Sequence, residues 1–227
     1  MTGMIGAALA WVLLHVVVAG PLRPALVGRL GLPAYRGLFS LLSAAALAWL
    51  ILAYRAAPYI ELWPSAGWVT MVPLVVMPVA LLLLVGGLRP GNPTLAGPDM
   101  VLKGELPVTG FTKITRHPML WAFALWAASH MIANGDVATL LLAGAVLVTA
   151  LNGMASIDRK RMAQFGDVWQ RFSQKTSIIP FAAAAAGRNR LRFEDIGFLN
   201  ILGAAALYAL ILWAHASVFG VPVYQPA

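Results

Sequence analysis

Residues 118–157 have the sequence PMLWAFALWAASHMIANGDVATLLLAGAVLVTALNGMASI, which contains two long apolar segments. The segment 118–134 is short for a membrane span, whereas 137–157 is long enough to cross roughly 30 Å of hydrocarbon as a helix. Between them, Asn134-Gly135-Asp136 predicts a tight turn in which the Asp136 side chain caps the second helix. The stretch therefore predicts an antiparallel pair of membrane helices.

The whole chain shares this apolar character. Its 227 residues are 60% hydrophobic and 11% charged, with a mean hydropathy of +0.80. A soluble domain carries roughly twice that charged fraction, so the sequence predicts an all-α, polytopic membrane helix bundle of about six transmembrane helices. We expect one integral membrane domain over residues 1–227. The predicted spans are residues 3–20, 37–57, 66–88, 118–134, 137–157 and 196–219.

The basic residues orient the predicted spans. Fifteen of the sixteen Lys and Arg residues fall in the loops after the first, third and fifth spans, and Arg55 lies on the other side. The positive-inside rule then places these loops in the cytoplasm and both termini outside. This placement accounts for the net charge of +8 without a nucleic-acid partner. Membrane lipids are the partners that we expect, and the oligomeric state is not predicted.

The long loop after the fifth span contains apolar residues at helical spacing among charged ones. They are Ile157, Phe165, Trp169 and Phe172. This pattern predicts a cytoplasmic amphipathic helix in the membrane interface, and a plain extension of the fifth span is the alternative. Asp158 precedes Arg159-Lys160-Arg161, with which we expect it to form ion pairs. Further along, Arg188–Arg192 (RNRLR) predicts a basic patch for lipid headgroups.

Three histidines fall inside predicted spans, where polar side chains are costly and usually serve a pathway or a ligand. Because the chain has no cysteine, imidazole is its strong ligand for soft metals or haem. At ~1.5 Å per residue, His15, His130 and His215 lie about 9, 18 and 28 Å from the cytoplasmic ends of their spans. Depth alone therefore does not choose between the pairs His15/His130 and His130/His215. Interhelical hydrogen bonding for His15 and an interfacial position for His215 are the alternatives.

Arg116 and His117 precede Pro118 at the start of the fourth span. A residue before proline favours an extended conformation, and proline suits a first helical turn. We therefore place Arg116 and His117 at the mouth of a pocket, where they are candidates to bind an anion such as a haem propionate or a lipid phosphate. Anchoring to the inner leaflet is the alternative.

Several motifs along the chain resemble those of the NnrU family. They are Tyr35–Ser40 (YRGLFS), Gly91–Thr94 (GNPT), Thr112–Trp121 (TKITRHPMLW), Leu125–His130 (LWAASH), Asn134–Asp136 (NGD) and Ile157–Arg161 (IDRKR). The resemblance covers nearly the whole chain. The family is named for a link to denitrification and nitric-oxide metabolism, and its relatives include 15-cis-ζ-carotene isomerase, an integral membrane haem b enzyme.

The resemblance implies a haem b cofactor held by one histidine of the first span and one of the fourth. The matching residues are His15 and His130, which become the predicted ligands of the haem iron, with His215 as the rival ligand. Arg116 and His117 are further candidates for cofactor binding. The isomerase branch can carry a cysteine one helical turn before its second histidine, and Ala127 occupies that position here.

Three functions follow from these features. The first is a haem b protein of nitric-oxide or nitrite metabolism in the bacterial cytoplasmic membrane, with a diatomic gas as ligand. The second is a haem-dependent cis-trans isomerase of a hydrophobic polyene; Ala127 and the absence of a plastid transit segment favour the first. The third is a membrane methyltransferase of the isoprenylcysteine type. Those enzymes carry paired glutamates, and this sequence has only Asp158 at the matching place. A non-enzymatic assembly factor is a further alternative.

Overall fold

The protein is all-helical in the computed structural model, which describes residues 1–65, 67–89, 92–95 and 106–223. Two residues used in the sequence predictions, Gly91 of the family motif and the basic Lys103, lie outside the described residues. A π-helical segment, Leu14–Val18, follows the first helix, and a short 3₁₀ turn spans Gly110–Lys113. The α-helices are α1 (Thr2–Leu13), α2 (Arg23–Leu30), α3 (Leu32–Arg55), α4 (Trp68–Gly87), α5 (Pro118–Ala133), α6 (Val137–Phe165), α7 (Asp167–Lys175), α8 (Ala182–Ala185), α9 (Phe193–Ile196) and α10 (Phe198–Phe219).

Each of the six predicted spans coincides with a helix, and four of these helices are long and apolar enough to cross a membrane. The four are α3, α4, α6 and α10. A fifth results if Thr2–Val18 and α2, which meet at 75°, form one broken span, whereas α5 is a shorter apolar helix of 16 residues. Only 6% of the apolar stretches of α3 and α10 is buried, which fits contact with lipid. The chain is therefore a multi-pass membrane protein, while the count of six and the position of the termini stay predictions.

The chain divides into two compact units. The first unit contains Met1–Pro73 and Ala127–Gly153, and the second contains Leu74–Trp126 and Met154–Val223. The helices α4, α5 and α6 contribute to both. The single domain over residues 1–227 stays a prediction.

In the first unit, small residues allow the helices to approach closely. The core contains Met4, Ala7, Leu50, Ala138 and Ala145, all buried. Small side chains are typical of helix interfaces in membranes because they bring the backbones together. Polar side chains add bonds between distant segments of this unit: the indole Nε1 of Trp11 donates to Thr149 Oγ1 at 3.2 Å, and the hydroxyls of Tyr54 and Thr139 lie 3.1 Å apart.

The predicted turn between α5 and α6 is present, and its cap is confirmed. The Asp136 carboxylate accepts the backbone N–H of Thr139 at 3.0 Å, the bond expected of an N-cap. The Gly135 carbonyl accepts the backbone N–H of Leu62 at 2.6 Å. A Cβ on Gly135 would lie 2.0 Å from the carbonyl oxygen of Trp63, so only glycine fits where this loop crosses the turn.

In the second unit, the region after α6 differs from the sequence prediction. The predicted amphipathic helix is divided: α6 continues to Phe165, Gly166 follows with φ = 50°, and α7 begins at Asp167. Trp169 and Phe172 of α7 are buried against Leu106 rather than turned towards lipid. The apolar side of α7 therefore packs on the protein itself, and the position of this helix in the membrane interface stays a prediction. Ile157 and Phe165 belong to α6, as the alternative of a plain extension of the fifth span predicts.

Candidate functional site

His15 lies in the π-helical segment that continues α1. Such segments are rare and occur frequently at functional sites. The Nδ1 atom of His15 lies 2.9 Å from the carbonyl oxygen of Trp11. Because a carbonyl only accepts hydrogen bonds, Nδ1 carries the proton, and a neutral ring then presents the lone pair of Nε2. The ring is held between Trp11, with centroids 4.1 Å apart, and Phe39, edge-on at 5.5 Å.

His130 lies in the last turn of α5, also in the first unit. Its Nδ1 is 3.4 Å from Ser129 Oγ. The next residues close the helix, because both the backbone N–H and the side-chain amide of Asn134 donate to the His130 carbonyl, at 2.9 and 3.0 Å. His15 and His130 are thus both half-buried imidazoles in apolar helices of one unit.

His215, the rival ligand, makes local contacts in the second unit. It lies near the end of α10, where its Nδ1 is 2.9 Å from the carbonyl oxygen of Val221 and its ring packs 4.9 Å from that of Phe219. Trp213, two residues earlier, is 83% exposed. This environment fits a residue of the interfacial aromatic belt.

Arg116 and His117 converge on Asp158 of α6. The Nε2 atom of His117 lies 2.8 Å from Asp158 Oδ1, and Nη2 of Arg116 lies 3.5 Å from Oδ2. The His117 side chain is fully buried and that of Arg116 is 10% exposed. One carboxylate thus binds two neighbouring side chains of the loop before α5.

The expected ion pairs between Asp158 and the basic residues that follow it are wrong. Those residues continue α6, and neighbours one or two positions along a helix do not face each other. Arg161, three positions along, instead donates to Gln164 Oε1 and to the Leu95 carbonyl, at 2.8 and 2.7 Å. The partners of Asp158 therefore come from a segment about forty residues earlier in the chain.

A strap formed by residues 176–181 is bonded to the segment that carries Arg116 and His117. The Arg116 backbone N–H donates to the Ser177 carbonyl at 2.8 Å. The Ile178 carbonyl accepts both Thr115 Oγ1, at 2.6 Å, and the indole Nε1 of Trp121, at 2.8 Å. The two residues predicted at the mouth of a pocket are buried, and the strap fixes the backbone of the segment in which they lie. No sequence signal marks it, because its contacts are mostly to backbone carbonyls.

Electrostatics around the ion pair follow from this burial. Burial lowers the pKa of Arg116, the Asp158 carboxylate raises it, and the positive charge of Arg188 lowers it further, with a net decrease. A guanidinium remains protonated even so. With Arg116 charged, the Asp158 carboxylate is held in a polar cluster that contains both an anion and a cation.

The cluster has two polar atoms left over. Nδ1 of His117 and Nε of Arg116 are buried and have no hydrogen-bond partner among the described residues. An imidazole that donates Nε2–H to a carboxylate presents Nδ1 as an acceptor, which is the arrangement that orients metal-binding or proton-accepting histidines. Binding of a haem propionate by Arg116 and His117 stays a prediction.

Comparison with known proteins places the chain in a family. The family model described as NnrU protein matches residues 3–223. Curated relatives include the chloroplastic 15-cis-zeta-carotene isomerases of Arabidopsis thaliana, 28% identical over 121 residues, and of Zea mays, 29% identical over 83 residues. The alignments cover 52% and 37% of this chain, and 33% and 23% of those relatives, so the chain spans a third or less of their length. No solved structure matches the chain significantly. The chain belongs to the NnrU family.

Proposed function

We propose that this protein is an integral membrane haem b protein in which His15 and His130 would hold the iron. The bond between His15 Nδ1 and the Trp11 carbonyl carries the proposal. Histidines that bind metals usually donate their second ring N–H to a carbonyl or carboxylate, which fixes the tautomer and the direction of the ligating nitrogen. His215 makes the same kind of bond, to the Val221 carbonyl, from a regular α-helix. What singles out His15 is the π-helical segment in which it makes that bond, with its ring packed between Trp11 and Phe39.

The residues present fit the cofactor. The two imidazoles supply the donor set of a bis-histidine haem. When bound, haem supplies an iron that changes oxidation state and accepts a diatomic ligand if one imidazole dissociates. The chain's own part is to orient His15 through Trp11 and Phe39, and to keep the end of α5 beside His130 closed through Asn134.

The proposed setting is nitric-oxide or nitrite metabolism in the bacterial cytoplasmic membrane. The family's link to denitrification supports this setting, and the apolar spans support a membrane location. A small apolar gas partitions into the membrane and reaches a site between helices without an aqueous channel.

A second candidate is a haem-dependent cis-trans isomerase of a carotenoid. The curated relatives carry that activity in their names, and the longer alignment covers about half of this chain. Here the protein would supply ligation and an apolar groove, and the cofactor the electronic chemistry. Ala127, in the position where that branch can carry a cysteine, favours the gas-binding protein over the isomerase.

An absorption spectrum of the detergent-purified protein, oxidised and reduced, tests the cofactor. We expect a Soret band with sharp reduced α and β bands, which His15→Ala and His130→Ala each abolish or convert to a high-spin form. His215→Ala is the matched control and leaves the spectrum unchanged. Added nitric oxide, and 15-cis-ζ-carotene followed by chromatography, then separate the two functions.

A wild-type protein that stays colourless after reconstitution with haem contradicts the proposal. Binding of S-adenosylmethionine by that colourless protein would instead support the methyltransferase. Loss of the Soret band in His215→Ala, with retention in His15→Ala, would move the ligand pair to His130 and His215.

A further inference from the structure

A basic groove of about 470 Å³ lies in the second unit. A volume of this size is typical of small-molecule sites. Five cations line it, together with Asn189, Val108 and two acidic residues. The cations of the basic groove are Lys113, Lys175, Arg188, Arg190 and Arg192.

The acidic residues do not neutralise the basic groove. Asp195 is engaged: its oxygens lie 2.7 and 2.8 Å from Lys113 Nζ, and it accepts the backbone N–H of Arg192 at 2.8 Å. Lys175, Arg190 and the Arg192 side chain are exposed, and no carboxylate of the described residues lies within 4.0 Å of them. Glu194 is the remaining acid, so a net positive charge faces the groove.

The walls of the basic groove are tied together by side chains that bond to backbone. The Asn189 amide donates to the carbonyls of Lys113, at 3.2 Å, and Lys175, at 2.8 Å. Arg188 Nη1 donates to the carbonyls of Gln174 and Thr176, at 2.9 and 3.0 Å. Because these bonds hold the groove in shape before a ligand arrives, binding requires little further ordering.

Two exposed aromatic residues lie close in sequence to the arginines of the basic groove. Phe193 follows Arg192 directly and is 72% exposed, and Phe181 is 54% exposed. The apolar helix α10 begins five residues after Phe193, at Phe198. Cations beside exposed aromatic side chains at the start of a span are typical of the interface between headgroups and acyl chains.

We propose that the basic groove binds the phosphate group of an anionic membrane lipid. Lys175, Arg190 and Arg192 contact the phosphate, and Phe193 and Phe181 lie among the acyl chains. One guanidinium can bind two phosphate oxygens through parallel hydrogen bonds. The net positive charge of the groove favours an anionic lipid over a zwitterionic one, because it repels the cationic group of a zwitterionic headgroup. Free phosphate shares the chemistry but lacks the acyl chains.

Native mass spectrometry of the delipidated full chain in a neutral detergent tests the proposal. Phosphatidylglycerol is titrated against phosphatidylcholine, for wild type and for the double variant Arg190→Gln/Arg192→Gln. Each cation near a membrane phosphate contributes about fivefold in affinity, so we expect the double variant to bind phosphatidylglycerol about 30-fold more weakly. The matched control, Arg29→Gln/Arg159→Gln, removes two exposed cations elsewhere and leaves the affinity unchanged.

A second variant tests the same site by an expected gain in affinity for phosphatidylglycerol. Glu194→Gln removes the exposed acid from the groove, and we expect about fivefold tighter binding of phosphatidylglycerol. Competition by millimolar inorganic phosphate, which restores unbound protein, would show that the site takes free phosphate instead of lipid. Equal binding of the two lipids, or an Arg190→Gln/Arg192→Gln variant that binds like wild type, would overturn the proposal.

Discussion

His15 and His117 are two buried or half-buried imidazoles held in opposite ways. His15 is fixed by a carbonyl four residues earlier in its own helix and by neighbouring rings. His117 is fixed by a carboxylate 41 residues later in the chain, on α6. The first environment engages Nδ1 with a carbonyl, and the second engages Nε2 with a carboxylate.

The difference indicates that His15 is suited to bind a cofactor and that His117 is suited to stabilise the fold. A histidine that takes its orientation from its own helix turn keeps that orientation when a cofactor enters or leaves. A histidine bonded to a half-buried carboxylate cannot change partner without removing a hydrogen bond from that carboxylate, which is costly inside a protein. We therefore expect substitution of His15 to change cofactor binding, and substitution of His117 to lower the free energy of unfolding.

Asp158→Ala should produce the largest change. It leaves the buried Arg116 without its counter-ion and His117 Nε2 without its acceptor. Removing one partner of a buried ion pair costs about 3–5 kcal/mol of unfolding free energy. Thermal unfolding followed by tryptophan fluorescence measures the effect. Asp167→Ala, which removes an exposed carboxylate at the start of α7, is the matched control. Equal melting temperatures for the two variants would show that the buried cluster does not stabilise the fold.

His117→Ala should lower the free energy of unfolding more than His15→Ala does, whereas only His15→Ala should change the haem spectrum. His117→Ala leaves Asp158 with a single weak partner, and we expect a loss of about 3 kcal/mol with the haem spectrum retained. His15→Ala removes a half-buried ring, at about 1 kcal/mol, and abolishes the low-spin spectrum. Both are measured on one preparation, by unfolding and by absorption. A spectrum altered in His117→Ala would instead support the predicted contact of Arg116 and His117 with the cofactor.

Local sequence was enough to predict the helices and the turn before α6, but not the contacts that surround His117. The apolar periodicity located all six helices of the predicted spans, and Asn134-Gly135-Asp136 predicted a turn whose cap is present. The partners of Asp158 depend on where the strap crosses the chain, which no spacing encodes. The extension of the fifth span, left open as an alternative by the sequence, is present, and Gly166 with its positive φ marks its end.

Gly135→Ala tests the turn beside His130. An added Cβ would overlap the Trp63 carbonyl, so the loop must move and the bond from Leu62 is lost. Overpacking of this kind costs about 2 kcal/mol. Gly144→Ala in the middle of α6, where a Cβ meets nothing within 4 Å, is the control and should be neutral or slightly stabilising. A stability loss in Gly144→Ala as large as that in Gly135→Ala would indicate that helix flexibility, and not the turn contact, is what the substitution affects.

The smallest effect is expected from the pair of Lys113 and Asp195, which is less buried than the Asp158 cluster. Partial burial raises the pKa of Asp195, but the bond from Lys113, the Arg192 N–H and the nearby positive charges lower it by more, so the net value lies below 3.8. The group therefore stabilises the folded state above the ordinary aspartate pKa, and the contribution is lost as the pH falls through the lower folded value. Because such pairs contribute about 1 kcal/mol or less, Asp195→Asn should lower the melting temperature slightly at pH 6, and the difference should vanish below the folded pKa. Glu194→Gln, its unpaired neighbour, should show no such convergence. A difference for Asp195→Asn that persists unchanged at acid pH would mean that the substitution does not act through the charge of the carboxylate.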